Sequence, residues 1–192
     1  LTGSKGMVGS AIKRSLIKNG YGNKNIGGEI LGPTREELDL TDFATLKCWF
    51  KKNNPSVVII AAAKVGGIYA NSNMPFDFIL EHLKIQNNLI ELAWEFGVKR
   101  LLFLGSSCIY PRNCPQPISE EYLLSSPLET TNEYYAIAKI AGIKLCESLR
   151  KQHNFDCICL MPTNLYGPGD NYHPLNSHVI PSLIRKFHKG KS

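Results

Sequence analysis

The chain has 192 residues, 43% of them hydrophobic and 20% charged, which is ordinary for a soluble globular protein and enough for one core or one domain plus part of another. No apolar run approaches the roughly 20 residues that a membrane helix needs. The net charge is +6, with Lys and Arg scattered apart from Lys13-Arg14 and Arg185-Lys186. That pattern argues against a nucleic-acid groove and for a phosphorylated small-molecule partner. The six cysteines, Cys48, Cys108, Cys114, Cys146, Cys157 and Cys159, contain no C-x-x-C pair. Their spacing suggests neither a zinc site nor a disulfide framework, so no metal is expected and the setting reads as reducing and cytoplasmic.

Residues Thr2 to Ser10 carry Gly3, Gly6 and Gly9, followed by a helical pattern with Val8, Ile12 and Leu16 on one face. Glycines at a loop-to-helix junction let the backbone approach a pyrophosphate, which then faces the free N–H groups of the helix N-terminus. The spacing is G-x-x-G-x-x-G, not the simplest dinucleotide fingerprint. Glycine-rich turns are common, so the motif gains weight only in combination with residues further along the chain. Only Leu1 and Thr2 stand where a preceding strand is expected, and most of that strand is expected to be missing. A Gly/Asn-rich loop, Asn19 to Gly28, leads to a short second strand at Glu29–Gly32. In a dinucleotide-binding unit the end of this strand meets the adenosine ribose, where a cation favours a 2′-phosphate. Arg35 and Lys5 fill that role and predict NADP(H) over NAD(H); the plain alternative is two surface cations.

Thr41-Asp42 caps a predicted helix carrying Phe43, Leu46 and Phe50, which Asn53-Asn-Pro55 ends. Val57–Ala63 reads as a strand buried on both faces, opening into a loop, Lys64-Val-Gly-Gly67, that could lie over a cofactor. A helix over Asp77–Phe96 places Ile85, Leu89, Leu92 and Phe96 on one face, with Gly97 as its C-cap. Leu101–Leu104 is a buried strand that breaks into Gly105-Ser-Ser-Cys108. If the extended conformation persists, Ser106 and Cys108 point the same way; otherwise this is a plain strand end and a Ser-rich turn. A proline-rich irregular loop comes next. A helix then begins at Asn132, with Ala138, Ala141, Leu145 and Leu149 as its buried face. Asp156–Met161 is a further strand, ending at Pro162, and a last helix covers Val179–His188. There is no internal repeat. Strands alternating with helices predict an α/β, doubly wound parallel sheet of Rossmann type. Ligands would bind at the strands' carboxyl ends, near Ala61, Ser106 and Pro162.

Tyr135 and Lys139 stand four apart on a predicted helix and share a face. A tyrosine ordinarily titrates near pH 10, and a nearby ammonium and a bound nicotinamide cation lower that value. With Ser106 on the same substrate oxygen, the set can protonate an alkoxide as hydride arrives.

On these residues the chain resembles the extended short-chain dehydrogenase/reductase family, along essentially its whole length. Within that family it is similar to the branch that epimerises and reduces GDP-4-keto-6-deoxy-D-mannose. The segments that carry the likeness are Gly6-Met-Val-Gly-Ser10, Ala61–Gly67, Leu104–Pro111, Tyr135–Gly142, Met161–Gly167 and Asn176–Pro181. The glycine loop and Y-x-x-x-K belong to the whole family; Gly-Ser-Ser-Cys-Ile-Tyr-Pro and Asn-Ser-His-Val-Ile-Pro are specific to the branch. The resemblance implies that Ser106, Tyr135 and Lys139 form the reductase triad. Cys108 and His178 would be the acid–base pair that inverts C3 and C5. Thiol and imidazole have reference pKa values of about 8.5 and 6.5, near enough to neutrality for that exchange.

The resemblance also implies cofactor contacts from Gly3, Ser4, Lys5, Gly6, Met7, Val8, Gly9, Arg35, Leu40, Gly105, Ser106, Lys139, Pro162, Thr163, Asn164, Leu165 and His178. Lys186 would contact the nucleotide-sugar substrate, and the protein would be a homodimer. Residues 1–165 would be the NADP(H)-binding domain and 166–192 the start of a substrate-binding region. The family runs on for roughly another hundred residues, so the chain is expected to be a fragment. His153, His173 and His188 are read as surface residues. One departure, a longer and more glycine-rich stretch around Asn23–Gly32, bears on where the second strand lies. Two alternatives stay open. One is a UDP-hexose 4-epimerase or a 4,6-dehydratase. Ser107 and Cys108 replace a dehydratase's Asp-Glu pair, and Lys5 and Arg35 do not suit a tightly held NAD. The other is a non-catalytic NADP(H)-binding module, which an intact triad disfavours.

Overall fold

The computed structural model describes residues 1–26, 28–63, 73–174 and 177–191, with the side chain of residue 24 excepted. The predicted Lys64–Gly67 loop and Asn176 lie outside the described residues.

Among the described residues, three parallel strands form the sheet in the order β1 (Val57–Ile60), β2 (Arg100–Leu104), β3 (Cys157–Leu160). Thr2 adds a parallel bridge on the free side of β1, its N–H donating to the Ile59 carbonyl at 3.0 Å. On the other side of that segment the Leu1 amino group donates to the Leu31 carbonyl at 2.9 Å. The chain therefore passes from Leu1–Thr2 to one side at Leu31, then crosses back to the other side at β1. This reversal makes the α/β fold doubly wound and opens a crevice at the strands' carboxyl ends. The expected second strand, Glu29–Gly32, is not a regular strand. The Leu1 amino group and the Ser4 hydroxyl donate to its Leu31 and Gly32 carbonyls.

Among the described residues, five α-helices pack around the sheet: α1 (Met7–Lys18), α2 (Phe43–Asn53), α3 (Pro75–Glu95), α4 (Glu133–His153) and α5 (Val179–Gly190). The Asp42 carboxylate accepts from the Ala44 and Thr45 N–H groups at the start of α2, as its sequence predicts. Helix α3 opens on Pro75, whose missing N–H costs nothing there. Phe96 is its C-cap, and Gly97 comes next at φ +66°, one residue later than expected for the cap itself.

Val58, Ile60, Leu101, Phe103 and Cys157 lie in register on one sheet face and are all buried with Leu46, Phe50, Leu89 and Leu92. The other face is only partly covered. Val57 is 50% exposed and Ile59 half-buried, so β1 is not buried on both faces as its apolar run suggests. Helix α4 departs from expectation too. Its buried residues are Ala136, Ala138, Lys139, Ile140, Gly142, Ile143 and Cys146, while Ala141, Leu145 and Leu149 are half-buried. Gly142 explains the rotation. A Cβ there would stand 2.6 Å from the Phe103 ring, so only glycine lets α4 press this closely onto β2.

Candidate active site at the carboxyl end of the sheet

Strand β2 ends at Leu104 and the chain does not stay extended through Cys108. Ser106 is extended, at φ −160° and ψ 149°, and its hydroxyl accepts the Cys108 N–H at 3.3 Å. That bond caps a 3₁₀ turn, Ser107–Ile109, which the buried Ile109 anchors in the core. Serine and cysteine are thus held together by a capped turn and not by strand alternation. The Ser107 N–H donates to the Pro162 carbonyl at 3.1 Å, joining this turn to the segment after β3. The Gly105 N–H likewise donates to Leu160. Thr163, Asn164 and Leu165 continue as exposed residues along the same edge.

The close approach of α4 delivers Lys139 to the end of β2. Its ammonium, 4% exposed, donates to the Leu104 carbonyl at 2.7 Å. Nζ lies 4.8 Å from the Phe103 ring centroid and 5.9 Å from that of Tyr135. Burial lowers its pKa to about 8. Tyr135 responds chiefly to burial, which raises its phenol above the ordinary value; the Ser106 hydroxyl pulls it down and the Cys108 thiol pushes it up. Burial therefore outweighs the expected lowering by Lys139, and the phenol is held protonated. These same interactions place Ser106, Cys108 and Tyr135 in one cluster. Three further residues join it that sequence reasoning did not single out. Asn132 donates through Nδ2 to the Cys108 sulfur at 3.3 Å. The His82 ring meets that of Tyr135 edge-on at 5.0 Å. Gln86 donates to the Ala138 carbonyl at 2.6 Å. The signal for the last two was two polar residues on the apolar stripe Phe78, Ile85, Leu89 of α3.

The glycine loop lies where the fold reverses. Gly3 has φ +68°, and a Cβ there would stand 2.8 Å from the Ala61 carbonyl oxygen. The Gly6 N–H donates to the Gly3 carbonyl at 2.9 Å, and Gly6 caps α1. A Cβ on Gly9 would collide with the Gly3 carbonyl. The buried Ser4 hydroxyl donates to the Gly32 carbonyl at 3.1 Å. Met7, Val8 and Gly9 form the first turn of α1, where N–H groups lack helical partners and no acidic side chain competes. The cradle fits a pyrophosphate. Lys5 and Arg35 both act on the exposed Glu36 carboxylate, whose lowered pKa comes first from backbone and Thr34 hydrogen bonds. The two cations are therefore neighbours, as the 2′-phosphate reading requires. Arg35 also pairs with Glu81 of α3 at 3.4 Å. Leu40 packs against the core and its carbonyl accepts from Asn88.

Two expected residues are not brought into this cluster. His178 is the exposed N-cap of α5, where its carbonyl accepts the Ser182 N–H at 3.0 Å. Among the described residues its side chain makes no hydrogen bond or ring contact. Lys186 is exposed on the same helix.

Comparison with known proteins agrees with this geometry. GDP-L-fucose synthase 1 of Arabidopsis thaliana is 56% identical over 191 residues, covering all of this chain and 57% of that protein. GDP-L-fucose synthase of Escherichia coli is 52% identical, covering 98% of this chain and 57% of its own length. Among solved structures, a GDP-mannoheptose C4 reductase from Campylobacter jejuni with NADP bound superposes with a TM-score of 0.88 at 38% identity, covering 98% of this chain and 54% of that one. The chain thus spans a little over half the length of these relatives. The sequence model of the NAD dependent epimerase/dehydratase family matches residues 1–192, and the chain belongs to that family.

Proposed function

We propose that the full-length gene product is an NADPH-dependent epimerase and reductase that converts GDP-4-keto-6-deoxy-D-mannose to GDP-L-fucose. The observation that carries this reading is the capped turn at the end of β2. It sets a thiol, Cys108, beside Ser106 and against Tyr135, which supports one member of the proton-transfer pair working next to the reductase residues. The GDP-sugar names of the relatives support the same substrate class.

A ketone at C4 acidifies the hydrogens on C3 and C5. Cys108 and His178 form the acid–base pair. One removes the proton from a face of the ring, the other returns it to the opposite face, and each centre inverts. When bound, NADPH supplies hydride to C4. Tyr135, kept protonated by burial, gives its proton to the C4 oxygen while the Ser106 hydroxyl hydrogen-bonds that oxygen. The Lys139 ammonium, 5.9 Å from the ring centroid, offsets the phenolate left behind. Gly3, Ser4, Gly6, Met7, Val8 and Gly9 hold the pyrophosphate, Lys5 and Arg35 the 2′-phosphate. Leu40, Gly105 and Pro162–Leu165 line the rest of the cofactor, and Lys186 faces the nucleotide sugar. Residues 1–165 are the cofactor domain and 166–192 open the substrate region. Exposed Phe76 and Leu80 on α3, with Tyr134 and Ile137 on the adjoining α4, support pairing into a homodimer.

The test is an assay of the full-length gene product with GDP-4-keto-6-deoxymannose and NADPH in deuterated water. Cys108→Ser abolishes deuterium uptake at C3 and C5. Tyr135→Phe spares that uptake and blocks NADPH oxidation. Full turnover in both variants would overturn the assignment.

A further inference from the structure

Asparagine at a helix N-cap ordinarily turns its side-chain oxygen onto the N–H of the second or third helical residue. Asn132 is the N-cap of α4 and makes no such bond. Its side chain turns instead to a residue 24 positions earlier, where Nδ2 donates to the Cys108 sulfur at 3.3 Å. Its Oδ1 is fully buried and has no hydrogen-bond partner. Neither end of the amide serves the helix, and a buried unpaired acceptor is a cost that folds seldom carry without a use. The spacing adds to this. Asn132, Tyr135 and Lys139 stand three and four residues apart, so one face of the first turns of α4 presents all three to the end of β2.

We infer that Asn132 is a positioning residue for Cys108, its amide N–H holding the sulfur in place beside Ser106 and Tyr135. The inference rests on the reading of Cys108 as the group that takes the proton from carbon. A thiolate must lie close to the C–H bond and keep its charge until it accepts that proton. An N–H donor aimed at sulfur serves both needs, because hydrogen bonds to charged acceptors are stronger than those to neutral ones. Tyr135 is a titratable neighbour of the same sulfur. Kept protonated, it adds no opposing charge.

The test is alkylation of Cys108 by iodoacetamide between about pH 6 and 10, followed by peptide mass spectrometry with the other five cysteines as internal references. Wild type, Asn132→Ala and Asn132→Asp are compared. In Asn132→Ala the Cys108 profile changes, and alkylation near neutrality slows about tenfold because the sulfur has lost its donor. Asn132→Asp keeps the shape, loses the donor and slows it further. The melting temperature of Asn132→Ala stays within a degree or so of wild type, because no capping bond is lost. In the full-length gene product, deuterium uptake by substrate falls in parallel. Coincident alkylation profiles overturn the proposal, as does a lowered melting temperature with an unmoved profile, which would make Asn132 a helix cap and nothing more. A moved profile together with undiminished deuterium uptake in Cys108→Ser leaves the Asn132–Cys108 link standing and refutes the role given to Cys108.

Discussion

Replacing Lys139 by methionine removes a charge from the interior while keeping most of the side chain's length. The ammonium is 4% exposed, and burial lowers its pKa from 10.5 to about 8. That gap corresponds to about 3 kcal/mol. The sign is set by the protons bound. Below pH 8 the lysine is protonated in both states, and the folded chain bears the whole cost of the desolvated charge. Between pH 8 and 10.5 the unfolded chain holds a proton that the folded chain lacks, so stability rises with pH. By pH 9.5 about 2 kcal/mol of the cost is relieved. Methionine has no such dependence and loses one hydrogen bond to Leu104, worth about 1 kcal/mol. At pH 7 the variant is therefore the more stable protein by about 2 kcal/mol. Urea unfolding of both proteins at pH 7 and 9.5 measures this, and the difference between them cancels the cysteines. Tyr135, with its pKa raised above 10, titrates beyond the window. Parallel pH dependence in the two proteins would refute the picture of a desolvated ammonium.

The geometry sets three further outcomes. Gly142→Ala pushes a methyl to 2.6 Å from the Phe103 ring and destabilises the chain by about 1–2 kcal/mol, after about 1 kcal/mol of gained helix propensity; adding Phe103→Leu recovers most of this in urea melts. Gly9→Ala fills the cradle at the Gly3 carbonyl and weakens NADPH binding at least about tenfold by calorimetry, with NADH affected equally because both carry the pyrophosphate. Arg35→Gln weakens NADPH by about ten- to a hundredfold and leaves NADH unchanged, since only one of the two offers a 2′-phosphate; equal losses for both would take Arg35 out of the site.

The features legible in the chain are those whose interactions are short in range. Helix α2 was legible because its cap is local: Asp42 meets N–H groups two and three residues away. Tyr135 and Lys139 were legible because a helix fixes a spacing of four. The buried face of α4 was not. Hydropathy favours Ala141, Leu145 and Leu149, yet the helix turns Lys139 and Gly142 inward. One is drawn by the Leu104 carbonyl and the other by the space the Phe103 ring allows, and both partners lie more than thirty residues away. The same limit hid Asn132 and His82, each of which meets its partner only after α3, α4 and the end of β2 have packed. Glu29–Gly32 differs: its β character was legible, but Leu1 and Ser4 meet it through single bonds to Leu31 and Gly32, and no regular strand forms.

The turn after β2 carries the consequence furthest. Strand alternation would have made Ser106 and Cys108 independent neighbours, each replaceable without disturbing the other. In the structure the Ser106 oxygen accepts the Cys108 N–H at 3.3 Å, so the hydroxyl holds the turn that holds the thiol. A hydroxyl has one proton to give and two lone pairs to receive with. Accepting from Cys108 leaves its own proton to give, to Tyr135 here and to a substrate oxygen in the proposed reaction, so one residue serves both halves. Ser106→Ala removes both bonds at once. In the full-length gene product it should slow hydride transfer and, unlike Tyr135→Phe, also slow deuterium uptake at C3 and C5. A lost neutral hydrogen bond of about 1 kcal/mol makes the second effect about fivefold. Ser106→Thr keeps the oxygen and restores most of the uptake. Deuterium uptake at the wild-type rate in Ser106→Ala would mean that the turn keeps Cys108 in place without the serine, and that the two residues work separately after all.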